Sequence, residues 1–309
     1  MKIAFLFAGQ GAQYPKMGKQ LYEVFPQAKA VFDEISTVVD VKQLCFHTNK
    51  EDLQDIRNAQ PGIFAHSMAV ASILSSYGIK ADVCAGLSLG EYSALCYANS
   101  FSIKDGASIL CQRAQLMAQS LQKDMTAMYA VLMLEEQKVL QACKEVSQFG
   151  ICEIANYNCP GQIVITGEKQ AVEAGAKRCL ELGARRVLPL AVSGAFHSSL
   201  LKPQADALAK VLMKYEIKAP NIPVYHNLTG TCAQDNFIDI LSKQLCSSVQ
   251  FEKTILNMLD DGIDTFIEIG PGKTLSGFVK KCAGKKKVTI LHVEDVESLH
   301  TCIEAVKGK

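Results

Sequence analysis

A five-residue motif, Gly86-Leu87-Ser88-Leu89-Gly90, constrains the fold of this chain more than any other feature. The apolar run Ala81–Ala85 before it predicts a short buried strand, and Gly90–Ala98 after it predicts a helix. A serine at such a tight strand-to-helix turn takes a strained backbone conformation, and the flanking glycines prevent clashes there. The motif therefore indicates an α/β fold with Ser88 as a nucleophile. The alternative is a serine that caps a helical turn.

Strand-like and helix-like segments alternate through the rest of the chain, without a repeat or a long linker. Lys2–Ala8 predicts a buried first strand, and Pro61–Tyr77 predicts a helix with Pro61 in its first turn. Ile103–Leu121 predicts a longer amphipathic helix, and Thr265–Ile269 and Val288–Val293 predict the last strands. This pattern favours a large α/β domain with a mostly parallel sheet and helices on both faces.

The middle of the chain has a different order of elements: strand, helix, strand, strand, helix, strand. The first strand is predicted at Met128–Leu134 and the last at Arg185–Leu190. This order is typical of a ferredoxin-like domain. We therefore predict a large catalytic domain formed by residues 1–124 and 194–309, with a ferredoxin-like small subdomain inserted at residues 125–193.

Composition excludes several classes of function. The 309 residues carry a formal net charge of +1, which provides no long-range attraction to nucleic acid or an anionic membrane. No apolar run approaches the ~18 residues of a membrane span, and no signal peptide is predicted. Twelve cysteines lack both a Cys-x-x-Cys pair and a zinc-like spacing, so we predict free thiols in a reducing cytoplasm and no metal site.

A nucleophilic serine requires a base, and His197 is the best placed of six histidines. It lies in a loop of small residues, Val192–Ser198, just before a predicted helix, where functional side chains are often exposed. His226 ends a predicted strand and is ambiguous. His47, His66, His292 and His300 are interpreted as ordinary polar or core residues.

Arg113 lies on the apolar face of its predicted helix, with Ile109, Leu110, Ala114 and Met117. A guanidinium that points inward is costly unless an anion meets it. Arg113 is therefore either one half of a structural ion pair or a clamp for a substrate carboxylate, which its planar fork suits.

Three further segments allow two interpretations each. Gly9-Gln10-Gly11 ends the first strand and could present the Gln10 N–H to an oxyanion, as the Leu89 N–H could at the start of its helix. Gly270-Pro271-Gly272-Lys273 is a structural turn or, less well matched, a phosphate loop. A basic cluster is a solvated surface or a docking patch for an acidic partner or phosphates; it comprises Lys280, Lys281, Lys285, Lys286 and Lys287.

Together these pieces resemble the malonyl-CoA:acyl carrier protein transacylases and the acyltransferase domains of fatty acid and polyketide synthases. The resemblance spans nearly the whole chain and joins the motifs above to four more, listed here: Gln60-Pro61, Phe196-His197, Pro223-Val224 and Val249-Gln250. The order and separation of these motifs match the family.

The resemblance implies a role for each candidate residue. Ser88 would attack the thioester, His197 would act as base and then acid, and Arg113 would pair with the malonyl carboxylate. Gln10 and Leu89 would supply the oxyanion-hole N–H groups, and Gln250 would orient His197. It also implies malonyl-CoA as substrate, coenzyme A as product, acyl carrier protein as partner and no bound cofactor.

The sequence departs from the family pattern at Leu87, Ser248 and Phe251, where histidine, proline and tryptophan are frequent. Phe196 resembles the residue that fills space needed by a methyl branch in malonyl-selective members. The sequence allows two other functions: a serine hydrolase of esterase or thioesterase type, and a carrier-binding module without activity. No acidic third triad member presents itself for the hydrolase, and the retention of Ser88, His197 and Arg113 argues against the inactive module.

Overall fold

A computed structural model describes residues 1–120, 125–191 and 194–308 of the chain. In these residues the backbone forms two five-stranded sheets. The strands are β1 (Ile3–Phe7), β2 (Val83–Gly86), β3 (Thr126–Leu132), β4 (Cys152–Cys159), β5 (Gln162–Glu168), β6 (Arg186–Pro189), β7 (Val224–Tyr225), β8 (Val249–Gln250), β9 (Thr265–Ile269) and β10 (Thr289–Val293).

The α-helices of the same residues surround these sheets. They are α1 (Lys19–Val24), α2 (Pro26–Ile35), α3 (Ile56–Ser76), α4 (Leu89–Tyr97), α5 (Ile103–Gln119), α6 (Glu136–Glu145), α7 (Lys169–Glu181), α8 (Lys202–Leu212), α9 (Phe237–Gln244), α10 (Phe251–Asp260), α11 (Thr274–Ala283) and α12 (Val296–Lys307). None of the described helices is both long and apolar enough to cross a membrane.

The larger sheet has the order β10-β9-β1-β2-β7, and all its strand pairs are parallel. Successive side chains of β1 enter opposite cores: Phe5 and Phe7 pack with α3, α4 and α5, whereas Ala4 and Leu6 pack with α10 and α11. The prediction of a parallel sheet covered on both faces is therefore confirmed. Because parallel strands end at one edge, the turns that follow β1, β2 and β9 lie together there.

The smaller sheet has the order β6-β3-β5-β4-β8. Its first four strands are antiparallel, and α6 and α7 pack against one of its faces, as the ferredoxin-like pattern predicts. The fifth strand, β8, comes from the chain after the insertion and pairs in parallel with β4. The proposed boundaries fall on residues 121–124 and 192–193, outside the described residues, so the exact division of the chain stays a prediction.

Two helix predictions differ from the structure. Helix α3 begins at Ile56, so Pro61 lies inside it rather than in its first turn. The Asp55 side chain accepts a hydrogen bond from the Arg57 N–H, which caps the helix one turn earlier than proline alone would indicate. Helix α5 ends at Gln119, and the predicted end at Leu121 is outside the described residues.

Candidate active site

Ser88 occupies a sharp turn between β2 and α4, with φ of 53° and ψ of −104°. A Cβ atom added at Gly86 would lie 2.0 Å from the carbonyl oxygen of Gly90, and one at Gly90 would lie 2.2 Å from that of Phe7. Only glycine fits at either position. The turn thus requires the two glycines that flank Ser88 in the sequence, and it presents the serine at the carboxyl edge of the larger sheet.

Two buried amide side chains hold the polar groups of this turn. Asn227 accepts a hydrogen bond from the Ser88 N–H at 2.6 Å and donates to the Gly86 carbonyl at 2.7 Å. Gln244 donates from Nε2 to the Ser88 carbonyl at 2.9 Å. The strained conformation is therefore stabilised by hydrogen bonds on both sides of the serine.

His197 contacts the Ser88 hydroxyl directly, with 2.9 Å between Nε2 and Oγ. Its Nδ1 lies 2.8 Å from the backbone carbonyl of Gln244. A carbonyl can only accept, so Nδ1 carries the hydrogen and Nε2 offers its lone pair to the hydroxyl. Burial, together with the charge of Arg113, lowers the pKa of His197 to about 4. The ring is neutral at neutral pH, as a general base requires.

Among the described residues no hydrogen bond joins Gln250 to His197. Gln250 lies in β8, its backbone N–H donates to the Asn227 carbonyl at 2.7 Å, and it lines a separate cavity with Tyr157. The Nδ1 contact is made by Gln244, the last residue of α9. The last carbonyls of a helix have no partner within it, so Gln244 has a free acceptor to offer. No helix was predicted around Gln244, so the sequence offered no local signal for this contact.

Arg113 is fully buried beside the serine, which confirms that it points inward. Its guanidinium donates to Ser88 Oγ at 3.0 Å, to Gln60 Oε1 at 2.9 Å and to Gln244 Oε1 at 3.1 Å. Tyr92 lies under the guanidinium, 5.3 Å from ring centroid to Cζ. Burial lowers the pKa of Arg113. Among the described residues all its hydrogen-bond acceptors are neutral, so a structural ion pair is not seen there.

The two predicted oxyanion donors flank the serine. Leu89 is the first residue of α4, so its N–H has no acceptor within the helix. Gln10 follows β1 in a turn that packs on the serine loop: a Cβ added at Gly9 would lie 2.7 Å from the Leu87 carbonyl. Gln10 lines the same cavity as Ser88 and His197. Their roles stay predictions.

This cavity has a volume of about 300 Å³ and lies between the two sheets. The larger sheet and its loops contribute Gln10, Ser88 and His197, and strand β4 of the smaller sheet contributes Asn156 and Asn158. A second cleft of about 490 Å³ adjoins it at Gln10 and Phe196. The arrangement suits a small acyl group beside the serine with a longer arm leading outward.

The chain matches the acyl transferase domain family over residues 4–300. It is 40% identical over 311 aligned positions to malonyl CoA-acyl carrier protein transacylase of Bacillus subtilis, covering 99% of this chain and 98% of that protein. It superposes on the malonyl CoA-acyl carrier protein transacylase of Clostridium perfringens with a TM-score of 0.96, 40% identity and coverage of 100% and 98%. The chain belongs to the acyl transferase family.

A further neighbour of this acyltransferase is a malonyl-transacylase in complex with its type II polyketide acyl-carrier protein. The TM-score is 0.95 at 35% identity, with 99% of this chain and 100% of that chain covered. The transacylase resemblance drawn from the sequence motifs is thereby confirmed, as are the α/β fold and its small subdomain.

The departures from the family pattern leave the reacting groups of the acyltransferase in place. Leu87 lines the cavity, Ser248 donates from Oγ to the Ile154 carbonyl of β4, and Phe251 is buried at the start of α10. Ser248 thus fastens β8 to the smaller sheet. None of the three contacts displaces His197 from Ser88.

The Gly270-Pro271-Gly272 segment is a turn in this acyltransferase rather than a phosphate loop. The Glu268 carboxylate accepts hydrogen bonds from the N–H groups of Leu275 and Ser276 at the start of α11. Glu294 accepts the N–H of Gly272. Carboxylates of the chain already occupy the positions that a phosphate would take.

The remaining expectations concern exposed lysines, cysteines and metals. The five lysines of the basic cluster are exposed, and Lys286 pairs with Asp260 at 2.9 Å. All twelve cysteines are free thiols. In the described parts of the acyltransferase, no group of three or more His, Cys, Asp or Glu residues could hold a metal ion.

Proposed function

We propose that this protein transfers a malonyl group from malonyl-CoA to the phosphopantetheine thiol of an acyl carrier protein, through an ester on Ser88. The observation that carries the proposal is the shared Ser88 hydroxyl. It lies 2.9 Å from the neutral base His197 and 3.0 Å from the buried guanidinium of Arg113. A nucleophile beside a guanidinium that hydrogen-bonds to neutral acceptors suits an acyl group that carries its own carboxylate.

In the first half-reaction, the Ser88 oxygen attacks the thioester carbonyl carbon while its proton passes to His197 Nε2. The N–H groups of Gln10 and Leu89 stabilise the oxyanion of the tetrahedral intermediate. The carbon–sulfur bond then breaks, and His197 returns the proton to the sulfur of coenzyme A, which leaves as a thiol.

The second half-reaction reverses these roles. The carrier's phosphopantetheine thiol gives its proton to His197 and attacks the Ser88 ester. The carbon–oxygen bond breaks, and His197 reprotonates Ser88. Exchange between a thioester and an ester transfers no electrons, so we propose that no cofactor is needed.

His197 Nδ1 donates its hydrogen to the neutral backbone carbonyl of Gln244 rather than to a carboxylate. The imidazolium formed in each step is therefore stabilised less than in a Ser-His-Asp triad. The charge of Arg113 also disfavours the imidazolium, since it lowers the pKa of His197, and the acyl carboxylate offsets that charge when it binds. We propose that the ester persists until a carrier thiol arrives, which separates this enzyme from a hydrolase.

The decisive experiment is intact-mass measurement of the protein after brief exposure to malonyl-CoA, with Ser88→Ala as control. We expect one malonyl adduct, a single burst of coenzyme A, and loss of the adduct when holo acyl carrier protein is added. Continuous release of free malonate without carrier would favour the hydrolase. Absence of any adduct would favour the inactive carrier-binding module.

We also propose a cytoplasmic location and a role in fatty acid or polyketide chain extension. The names of the relatives support the role in chain extension, since one is named with a polyketide carrier and the others with acyl carrier protein. Twelve free thiols support the cytoplasmic location. Transfer assays with carriers of each pathway would separate the two forms of chain extension.

A further inference from the structure

Glu91 is a fully buried carboxylate behind the nucleophile, and the mechanism above does not use it. It lies in the first turn of α4, three residues after Ser88. Its Oε1 accepts from His226 Nδ1 at 2.7 Å. Its Oε2 accepts from the Asn227 N–H at 3.0 Å and from Gln244 Nε2 at 2.8 Å. Both oxygens act as acceptors, so any amide that faces Glu91 must present its nitrogen.

Gln244 connects Glu91 to the groups that react. Its Nε2 hydrogens go to Glu91 Oε2 and to the Ser88 carbonyl. Its Oε1 therefore points the other way and accepts from Arg113 at 3.1 Å. A side-chain amide has one donor end and one acceptor end, so fixing the nitrogen also fixes the oxygen. The orientation of this amide decides whether Arg113 meets an acceptor or a second donor.

The guanidinium needs neutral acceptors on this side. Gln60 and Gln244 anchor two of its nitrogens through neutral oxygens, and the Glu91 carboxylate attracts it from behind Gln244 without a direct ion pair. Arg113 is therefore aimed at Ser88 Oγ and able to pair with an incoming carboxylate. A rotated Gln244 amide would place NH₂ against guanidinium and push it away. A carboxylate in the place of Gln244 would instead occupy the fork.

We propose that Glu91 is a positioning residue for acyl selection: it holds the amide of Gln244 in the orientation that aims Arg113 at the substrate carboxylate. This inference rests on the proposed function, because it concerns the preference for a carboxylated acyl group. The Ser88 carbonyl takes the other Nε2 hydrogen, so loss of Glu91 weakens the orientation rather than abolishing it.

The test compares two rates of Ser88 acylation, one with malonyl-CoA and one with acetyl-CoA, each from single-turnover intact-mass measurements. The measured quantity is the ratio of the malonyl rate to the acetyl rate. Glu91→Met removes the acceptor at similar volume, and we expect the ratio to fall about tenfold, the scale of one hydrogen bond to a charged group. Gln244→Met should lower the ratio similarly. The double variant should lower it no further, because both changes remove one chain of contacts.

Glu91→Gln is the conservative variant. Its amide oxygen can still accept from Gln244 and Asn227 while its nitrogen faces His226, whose ring can present an unprotonated Nδ1 instead. We expect the ratio of malonyl to acetyl acylation rates in this variant to stay within about threefold of that of the unaltered chain, because the hydrogen bond to Gln244 is retained. Ile255→Val, in the core of α10, is the control for lost stability alone, with an unchanged ratio.

Three results would overturn the proposal: an unchanged ratio in Glu91→Met, effects of Glu91→Met and Gln244→Met that add, or a Glu91→Gln variant as impaired as Glu91→Met. If Glu91→Met does not fold, Gln244→Met carries the test alone, and an unchanged ratio in it overturns the proposal. Failure of the unaltered protein to form a malonyl adduct would instead refute the proposed function.

Discussion

The Ser88 hydroxyl is shared by two side chains with opposite tasks. His197 receives its proton at 2.9 Å, and Arg113 donates to its oxygen at 3.0 Å. Both side chains are buried, which keeps the base neutral. The described carboxylate that acts on the guanidinium is Glu91, which lies behind Gln244 and makes no direct ion pair with it. The chemistry of the site follows from this juxtaposition of a neutral base and a guanidinium that no carboxylate contacts.

Replacing Arg113 by alanine should reduce malonyl transfer by about 100-fold or more, because a buried ion partner is worth roughly 3–5 kcal/mol. Acetyl transfer should be spared or raised, since an acetyl group has no carboxylate. The measurement is the acylation rate with each acyl-CoA. Arg178→Ala is the control, because Arg178 of α7 pairs with Glu145 of α6 at the protein surface. Equal loss on both acyl groups would contradict the clamp.

The acylation rate should stay high well below pH 6.5. Burial lowers the pKa of His197 to about 4, so the base loses its lone pair only when the pH approaches that value. The measurement is single-turnover acylation by acetyl-CoA between pH 4 and 8, since this substrate has no carboxylate of its own to titrate. An acidic limb centred near pH 6.5 would show that His197 is solvated as an ordinary histidine.

At the scale of elements, the strand-turn-helix around Ser88 depends on close backbone contact. Gly86→Ala should destabilise the protein by several kcal/mol or prevent folding, because the new Cβ would lie 2.0 Å from a backbone oxygen. Gly277→Ala is the matched control: its Cβ meets no atom within 4 Å, and it lies inside α11. Alanine at position 277 should stabilise the folded protein by about 0.5–1 kcal/mol.

Urea denaturation measures both glycine variants. Similar stabilities for Gly86→Ala and the unaltered chain would mean that the serine turn can relax, and that the strain at Ser88 is not imposed by the fold. Retained acylation in a folded Gly86→Ala protein would lead to the same conclusion.

Across the whole molecule, buried histidines make folding sensitive to acid. Burial lowers the pKa of His66 and that of His197 to about 4 each. Between pH 6.5 and 4 the unfolded chain binds protons that the folded chain does not. Stability is therefore full above pH 6.5 and is lost as the pH falls, by about 1.4 kcal/mol per pH unit for each histidine.

The variant His66→Gln tests this account, since glutamine keeps a donor for the Glu294 carbonyl but has no titrating ring. Its unfolding free energy should fall less steeply between pH 6.5 and 5 than that of the unaltered chain. The difference between the two slopes should correspond to about one bound proton. Urea titrations at pH 7, 6 and 5 give the slopes. Identical slopes would show that His66 gains its proton in the folded protein.

Local patterns in the sequence determined the α/β class, the order of the small subdomain's strands and the strand-to-helix turn at Ser88. Each depends on neighbours in the chain: alternating apolar runs, and glycines on both sides of Ser88. Arg113 was placed inward by helical spacing alone, and the structure bears this out. Helices α1, α2, α9 and α12 were not predicted, since short helices are stabilised largely by packing.

Only the tertiary structure decided which distant residues meet. The family resemblance assigned the support of His197 to Gln250, whereas the carbonyl that His197 Nδ1 contacts belongs to Gln244, six positions earlier. Sequence reasoning left His226 ambiguous and gave no role to Glu91 or Asn227. Glu91 lies 135 positions before His226 and 136 before Asn227, and the three meet beneath the serine. Hydrogen bonds between remote segments leave no local periodicity, because they depend on how α9 and β8 pack against α4. Ser88 was readable from its neighbours in the chain, whereas the network that holds it was decided by the fold.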